Sequence, residues 1–339
     1  MSQLAQSLLR NKCTDKGKPV ERQGRNATGS SLPPRRSPAT KDPKTAGLPK
    51  ERWNPPIHKG GGTGEKLGNP AADQAQGPFL NPVEQNNPSP RIVCEKVAAA
   101  KYASLFEEVW GPGSLDCVDD VDVYSVYDQI ALSIAAYEDS SEVNQFSSKF
   151  DDYLMEIVEL SEQESWGLEL FEGKAMCAAC HPSQPGAAGE PPLFTDFTFD
   201  NLGVPKNPEN SFYKMDEVYF DDGSPINPDG AAWVDLGLAT RPEWSDKAED
   251  NVGKHKVPTL RNVDKRPGKG FPKAYIHNGV FKTLKEVVHF YNTRDVESWP
   301  PPEVPQNVNN DELGDLGLTA DEEDALVAFL KTLSDGFEP

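Results

Sequence analysis

The pentapeptide Cys177-Ala178-Ala179-Cys180-His181 decides how this chain is read. Each residue in a Cys-x-x-Cys-His run has its own task. The two thiols can add across the vinyl groups of a haem, and the adjacent histidine is then held under the iron as an axial ligand. A redox-active Cys-x-x-Cys is one rival, but the histidine directly after the second cysteine and the helical surroundings disfavour it. A zinc site would need two more ligands, and no second Cys/His pair at close spacing follows. The run therefore predicts one covalent haem c on Cys177 and Cys180, with His181 as an iron ligand. Just upstream, Trp166, Leu168, Leu170 and Phe171 supply the apolar walls such a group needs.

Working outward, the pattern from about residue 73 is that of a mostly helical protein with long loops. Residues 96–110 and 122–138 carry apolar positions at helical spacing. Ser161 with Glu164, Thr283 with Glu286, and Thr319 with Glu322 each read as a capping box, in which side chains satisfy the orphan amides of a first helical turn. The last box opens an amphipathic helix bearing Leu326, Val327, Phe329, Leu330 and Leu333. In the helix opened by Thr283, Leu284, Val287, Val288 and Tyr291 share one face. Residues 186–256 are rich in Pro, Gly, Asn and Asp and read as loops over a small helical core.

Composition changes near residue 70. Residues 1–70 hold 14 Lys+Arg against 5 Asp+Glu, with nine prolines, nine glycines and Trp53 as their one aromatic. Such a stretch cannot bury enough apolar surface to offset its chain entropy and is expected to be unstructured. Residues 71–339 hold 20 basic against 49 acidic residues, which together with the first region gives the chain's net charge of -20. That balance argues against nucleic acid, whose phosphates need a basic face, and suits a basic redox partner. No run approaches a membrane span, and no secretory signal is visible at the start. Cys94 and Cys117 read either as a disulfide or as two buried thiols, and Cys13 has no partner.

Several stretches together resemble the bacterial di-haem cytochrome c peroxidase superfamily, including its branch that matures methylamine dehydrogenase. They are Asp73 to Glu84, Asp128 to Glu138, Phe150-Asp151, Ser161 to His181, Phe199 to Val204, Val257-Pro258-Thr259-Leu260-Arg261-Asn262-Val263, and Ala274-Tyr275-Ile276-His277-Asn278-Gly279. The resemblance implies two cytochrome-c-like domains: an incomplete first one at 71–158, a second one carrying the haem at 159–339, and the unstructured 1–70 before them. It implies that the first haem meets hydrogen peroxide and the second relays electrons. Glu84 matches the acid-base carboxylate above the peroxidatic haem, and Pro78 a residue packed on the same face. His277 would lie near the second haem's propionates, and Arg261 would pair with one. Fourteen residues beyond His277, where peroxidases of the family place a Met ligand, stands Tyr291. A tyrosine there resembles the maturase branch, and an anionic oxygen ligand favours oxidised iron. His289, Met176 and Met215 are the competing ligands. The family also binds calcium between its domains through backbone carbonyls, and works in the periplasm or at the cell surface.

The chain departs from the family in one region. The first domain's own Cys-x-x-Cys-His is missing, because Cys13 is followed by Thr14-Asp15-Lys16-Gly17. Lys59 to Leu67 stands where Phe-Trp-Asp-Gly-Arg is expected. The abrupt change suggests that residues 20–62 are an out-of-frame stretch, with the likeness starting near Gly64. Three functions are expected on these grounds. They are a peroxidase drawing electrons from a small donor protein, a maturase-like oxidant of Trp or Tyr on a partner protein, and a mono-haem electron carrier or inactive remnant.

Overall fold

The computed structural model describes residues 67–81, 84–219, 223, 225–268 and 270–339. Residues 1–66, including Cys13 and most of the segment expected to be unstructured, lie outside the described residues. Among the described residues helix accounts for 40% and strand for 7%, as a mostly α reading requires. The described residues divide into two compact units, 67–143 and 144–339. The boundary expected at 158/159 thus stands earlier. Phe150 explains the shift. It is 1% exposed within the core of the second unit, with its ring centroid 5.4 Å from that of Phe329. The Ser147 amide also donates to Asp335 Oδ1 at 2.9 Å, so 144–158 packs with the second unit.

The first unit starts at an N-cap. Asn69 Oδ1 accepts the Ala71 and Ala72 amides and opens the Pro70–Ala75 helix, where proline loses no needed donor. Ala72, Ala75, Ala131 and Ala135 form a seam of small residues against the Asp120–Glu138 helix. A second cluster gathers Val93, Val97, Phe106, Val126 and Ile130. The single helix expected over 96–110 is two, Pro90–Ala98 and Ala103–Trp110. Ser89 and Pro90 start the first of them earlier than its apolar spacing suggested, and the chain turns before Ala103. Cys94 and Cys117 form a disulfide with Cα atoms 5.9 Å apart, so they are not two buried thiols.

In the second unit the three expected capping boxes are all formed, on the Glu162–Glu172, Leu284–Thr293 and Ala320–Lys331 helices. The first and last of these cross at Gly167. A Cβ there would press into the Ala325 carbonyl and stand 2.8 Å from Phe329 Cβ, so only glycine permits this approach. Phe150, Phe171, Phe194 and Phe329 interlock beneath the crossing, mostly edge to face. The long 186–256 stretch contains short 3-10 turns, one short helix at Ala248–Asn251 and strands of two or three residues, which fits its loop-like composition. In one strand pair Phe199–Asp200 runs antiparallel to His255–Lys256. Among the described residues, no helix is long and apolar enough to cross a membrane.

Candidate haem-binding site

The Glu162–Glu172 helix stops at Gly173, and the chain enters the motif through Met176 in the left-handed conformation (φ 56°). Cys177–Ala179 then form a tight turn, closed by the His181 amide donating to the Cys177 carbonyl at 2.9 Å. This turn presents both thiols and the imidazole from one short loop. Neither thiol is in a disulfide. Burial pushes the Cys177 thiol up to about 12, and burial with Glu312, Asp196 and Asp200 pushes Cys180 up to about 11. A redox-active Cys-x-x-Cys needs the opposite shift, a thiol made acidic by its surroundings.

His181 is aimed by the backbone. Its Nδ1 lies 2.7 Å from the Phe194 carbonyl, which selects the tautomer with a proton on Nδ1 and a lone pair on Nε2. Burial holds the imidazole below its ordinary pKa, so it is neutral and suited to a metal. The Phe194 loop is itself pinned. The Asp196 amide donates to the Cys180 carbonyl at 3.0 Å, and Thr195 Oγ1 donates to the Val257 carbonyl at 2.7 Å.

Tyr291 packs against the same core as Cys177 and Ala178. Its hydroxyl is raised well above the ordinary tyrosine value by burial, and then by the adjacent Cys177 and Cys180. Tyr291 and the two thiols of the motif are therefore close neighbours. His289 is committed elsewhere: its Nδ1 is 2.9 Å from Glu323 and its Nε2 3.4 Å from Glu297. Hydrogen bonding to Glu323 raises its pKa. Met176 is 44% exposed, so it offers no buried sulfur.

Arg261 forms a buried ion pair with Asp151 at 2.6 Å, and its Nε donates to the Pro192 carbonyl at 2.8 Å. Its Nη2 is buried without a hydrogen-bond partner among the described residues. One arm of the guanidinium is thus fixed within the protein while the other is unsatisfied, and an anionic propionate would satisfy it. With two unpaired thiols, an oriented neutral imidazole, an adjacent tyrosine and this orphaned donor, the residues fit a covalent haem.

The other expected site residues fall in two places. Pro78 and Glu84 lie on one turn of the first unit, where the Pro78 carbonyl accepts the Gln85 amide at 3.1 Å and Glu84 N–H donates to Asn81 at 3.0 Å. His277 keeps other company than the motif: its ring stacks on His255 at 3.7 Å and its Nε2 lies 3.5 Å from Glu303. The sequence reading missed His255 and Asp235, which join His277 from distant parts of the chain with no spacing signal between them. It also missed the Phe194 acceptor, a backbone atom that no residue type advertises.

The comparisons with known proteins bear on this geometry. A family model described as di-haem cytochrome c peroxidase matches residues 20–158. The chain is 33% identical over 298 residues to the methylamine utilization protein MauG of Paracoccus denitrificans, covering 83% of this chain and 70% of that protein. The chain belongs to the di-haem cytochrome c peroxidase family. Cytochrome-c peroxidase IdrP2 of Denitromonas iodatirespirans is 34% identical over 180 residues, and there the chain spans only 40% of the relative. The solved diheme peroxidase BthA of Burkholderia thailandensis superposes with a TM-score of 0.59 at 29% identity, covering 78% of this chain and 63% of that one. The match from residue 20 overturns one expectation. Likeness to the family does not stop near Gly64, and this weighs against residues 20–62 being read out of frame.

Proposed function

We propose that this member of the di-haem peroxidase family is a peroxide-dependent oxidoreductase that relays electrons through the covalent haem c that Cys177, Cys180 and His181 would hold, with Tyr291 as a further iron ligand. Bound haem would supply the one-electron chemistry. The protein's part is to fix the imidazole through the Phe194 carbonyl, exclude water with the surrounding phenylalanines, and offer Tyr291 from the opposite helix. The observation that carries this reading is the placement of Tyr291 beside the two thiols, while both nitrogens of His289 face carboxylates. Burial keeps Tyr291 protonated on its own; a cation close to its oxygen would reverse that preference.

Tyrosine in this position favours a second reading within the same chemistry: oxidation of Trp or Tyr on a partner protein rather than of a small donor. The likeness to MauG over 83% of the chain supports it. The single Cys-x-x-Cys-His, with Cys94 and Cys117 consumed in a disulfide, supports one haem on this chain and keeps the electron carrier as the non-enzymatic alternative. The disulfide and the family point to the periplasm.

The test is expression with a c-type maturation system. One haem per chain should survive acidified acetone. Tyr291→Phe should keep that haem, change its ligand-sensitive absorption and electron-spin spectra, and raise the reduction potential. Haem that extracts freely, or spectra unmoved by Tyr291→Phe, would refute the assignment.

A further inference from the structure

Outside the Cys177–His181 motif, two loops and the His255–Lys256 strand bring together Asp235, His255 and His277, of which the family resemblance gave a role to His277 alone. One ligand atom from each of Asp235, His255 and His277 lies within 4.8 Å of the other two. We propose that these three residues bind a divalent first-row transition-metal ion, for which zinc is the probe.

Local backbone geometry brings them together. His255 sits in the strand pair with Phe199–Asp200. Gly237, at φ +58°, lets the loop carrying Asp235 lie directly on this strand. Its missing Cβ would press into the Lys254 carbonyl and stand 3.3 Å from His255 Cε1. The Leu238 amide donates to Lys254 at 2.8 Å and the Gly253 amide to Leu236 at 3.0 Å, so the loop is laced to the strand from both sides. His277 arrives from the turn after Ile276, itself in the left-handed region at φ 68°.

The donor set has the chemistry of a metal site. The two imidazoles stack nearly parallel, 7° apart, without a hydrogen bond between them. Two stacked imidazoles cannot both carry charge cheaply. His277 Nε2 is buried and makes no full hydrogen bond among the described residues, its near neighbour being Glu303 Oε2 at 3.5 Å. Asp235 uses Oδ1 to accept the Gly237 amide at 2.9 Å, an outer contact that fixes the carboxylate.

Glu303 supplies the supporting charge. Its Oε1 accepts the Asp235 amide at 3.0 Å, and its Oε2 accepts the Tyr213 hydroxyl at 2.8 Å. Asn278 Nδ2 donates to the same Oε2 at 3.1 Å, and His277 Nε2 stands 3.5 Å from it, so the carboxylate is fixed against the cluster. Two carboxylates gathered beside two stacked imidazoles form a mixed nitrogen and oxygen donor set suited to a divalent cation. Two nitrogens and one oxygen suit zinc and its first-row neighbours better than calcium or magnesium, which take oxygen ligands. All three ligating residues are partly exposed, which leaves an entry path.

The experiment uses haem-loaded protein, in which Cys177 and Cys180 are already spent, stripped of loose metal by a chelator. After equilibrium dialysis against micromolar zinc, zinc and iron are counted by mass spectrometry. The expected result is one zinc per chain beyond the haem iron, together with a higher unfolding temperature in zinc. His255→Phe keeps a ring stacked on His277 while removing its donor nitrogens. It should weaken zinc binding by about tenfold or more, as should Asp235→Asn. His289→Ala should bind like the parent, and an unchanged haem spectrum checks that each variant folds. No zinc above background in the parent protein, or parent-like binding by either His255→Phe or Asp235→Asn, would overturn the proposal.

Discussion

Removing the Arg261 guanidinium tests how the haem-bearing unit is held together. In Arg261→Ala, Asp151 loses its partner at 2.6 Å in a setting where the two side chains are 8% and 5% exposed. Breaking a buried pair from one side costs about 3–5 kcal/mol, because a charge is left without compensation. Asp151 still accepts the Ser148 amide at 2.9 Å and hydroxyl at 2.7 Å, which draws the expected loss toward the lower end, about 3 kcal/mol. The guanidinium also lies 4.9 Å over Phe146 and donates to Pro192, so some of the loss is packing. Arg261→Ala with Asp151→Asn should recover part of it, since the double variant leaves no buried unpaired charge. Urea unfolding of the haem-loaded protein measures all three. The pH dependence gives a second reading. Burial raises Asp151, but the bonds from Arg261 and Ser148 outweigh it, and its folded pKa lies below the ordinary carboxylate value. The stabilisation is therefore complete above an unfolded pKa of about 4 and is lost as pH falls through the lower folded value. The gap between parent and variant should be widest near pH 7 and close in acid. A loss under about 1 kcal/mol at pH 7, or a gap that widens in acid, would refute the argument.

Packing dictates two further outcomes. Gly167→Ala puts a methyl group into the Ala325 carbonyl at the helix crossing and should destabilise by about 1–3 kcal/mol, visible as a lower urea midpoint with an unchanged slope. Reducing the Cys94–Cys117 bond, or replacing both residues by Ser, opens a loop of sequence separation 23 and should cost about 3 kcal/mol in proteolysis or unfolding assays of the first unit; an unchanged stability would show that the bridge constrains little.

Features written in short-range chemistry were legible in the sequence. The three Ser/Thr-x-x-Glu boxes formed because their partners lie within one helical turn. A fourth box, Ser148 with Asp151, is harder to read because Asp rather than Glu reaches back. The haem motif is local too, and five consecutive residues announce it. Tyr291 came from the family offset, whereas no local pattern told that Glu297 and Glu323 face the two nitrogens of His289. Whether Cys94 meets Cys117 depends on how the helix starting at Pro90 folds back toward the loop after Trp110, which no local pattern states. The Asp235–His255–His277 group is the extreme case, since its members meet only after two loops and a short strand with few periodic residues have been laced together.

The acceptor that orients His181 is a main-chain oxygen, and this sets where the proposed iron ligand is open to genetic change. Had a side chain held Nδ1, one codon could have deleted it. As built, every substitution at Phe194 keeps the carbonyl, and evolution can disturb the imidazole only by moving the loop. That loop is held tightly: Phe194 is fully buried and sits at φ 52°, a conformation that bulky residues tolerate poorly. Drift at this position should therefore be felt first as lost folding yield, with the tilt of the His181 imidazole changing only in chains already failing to accumulate.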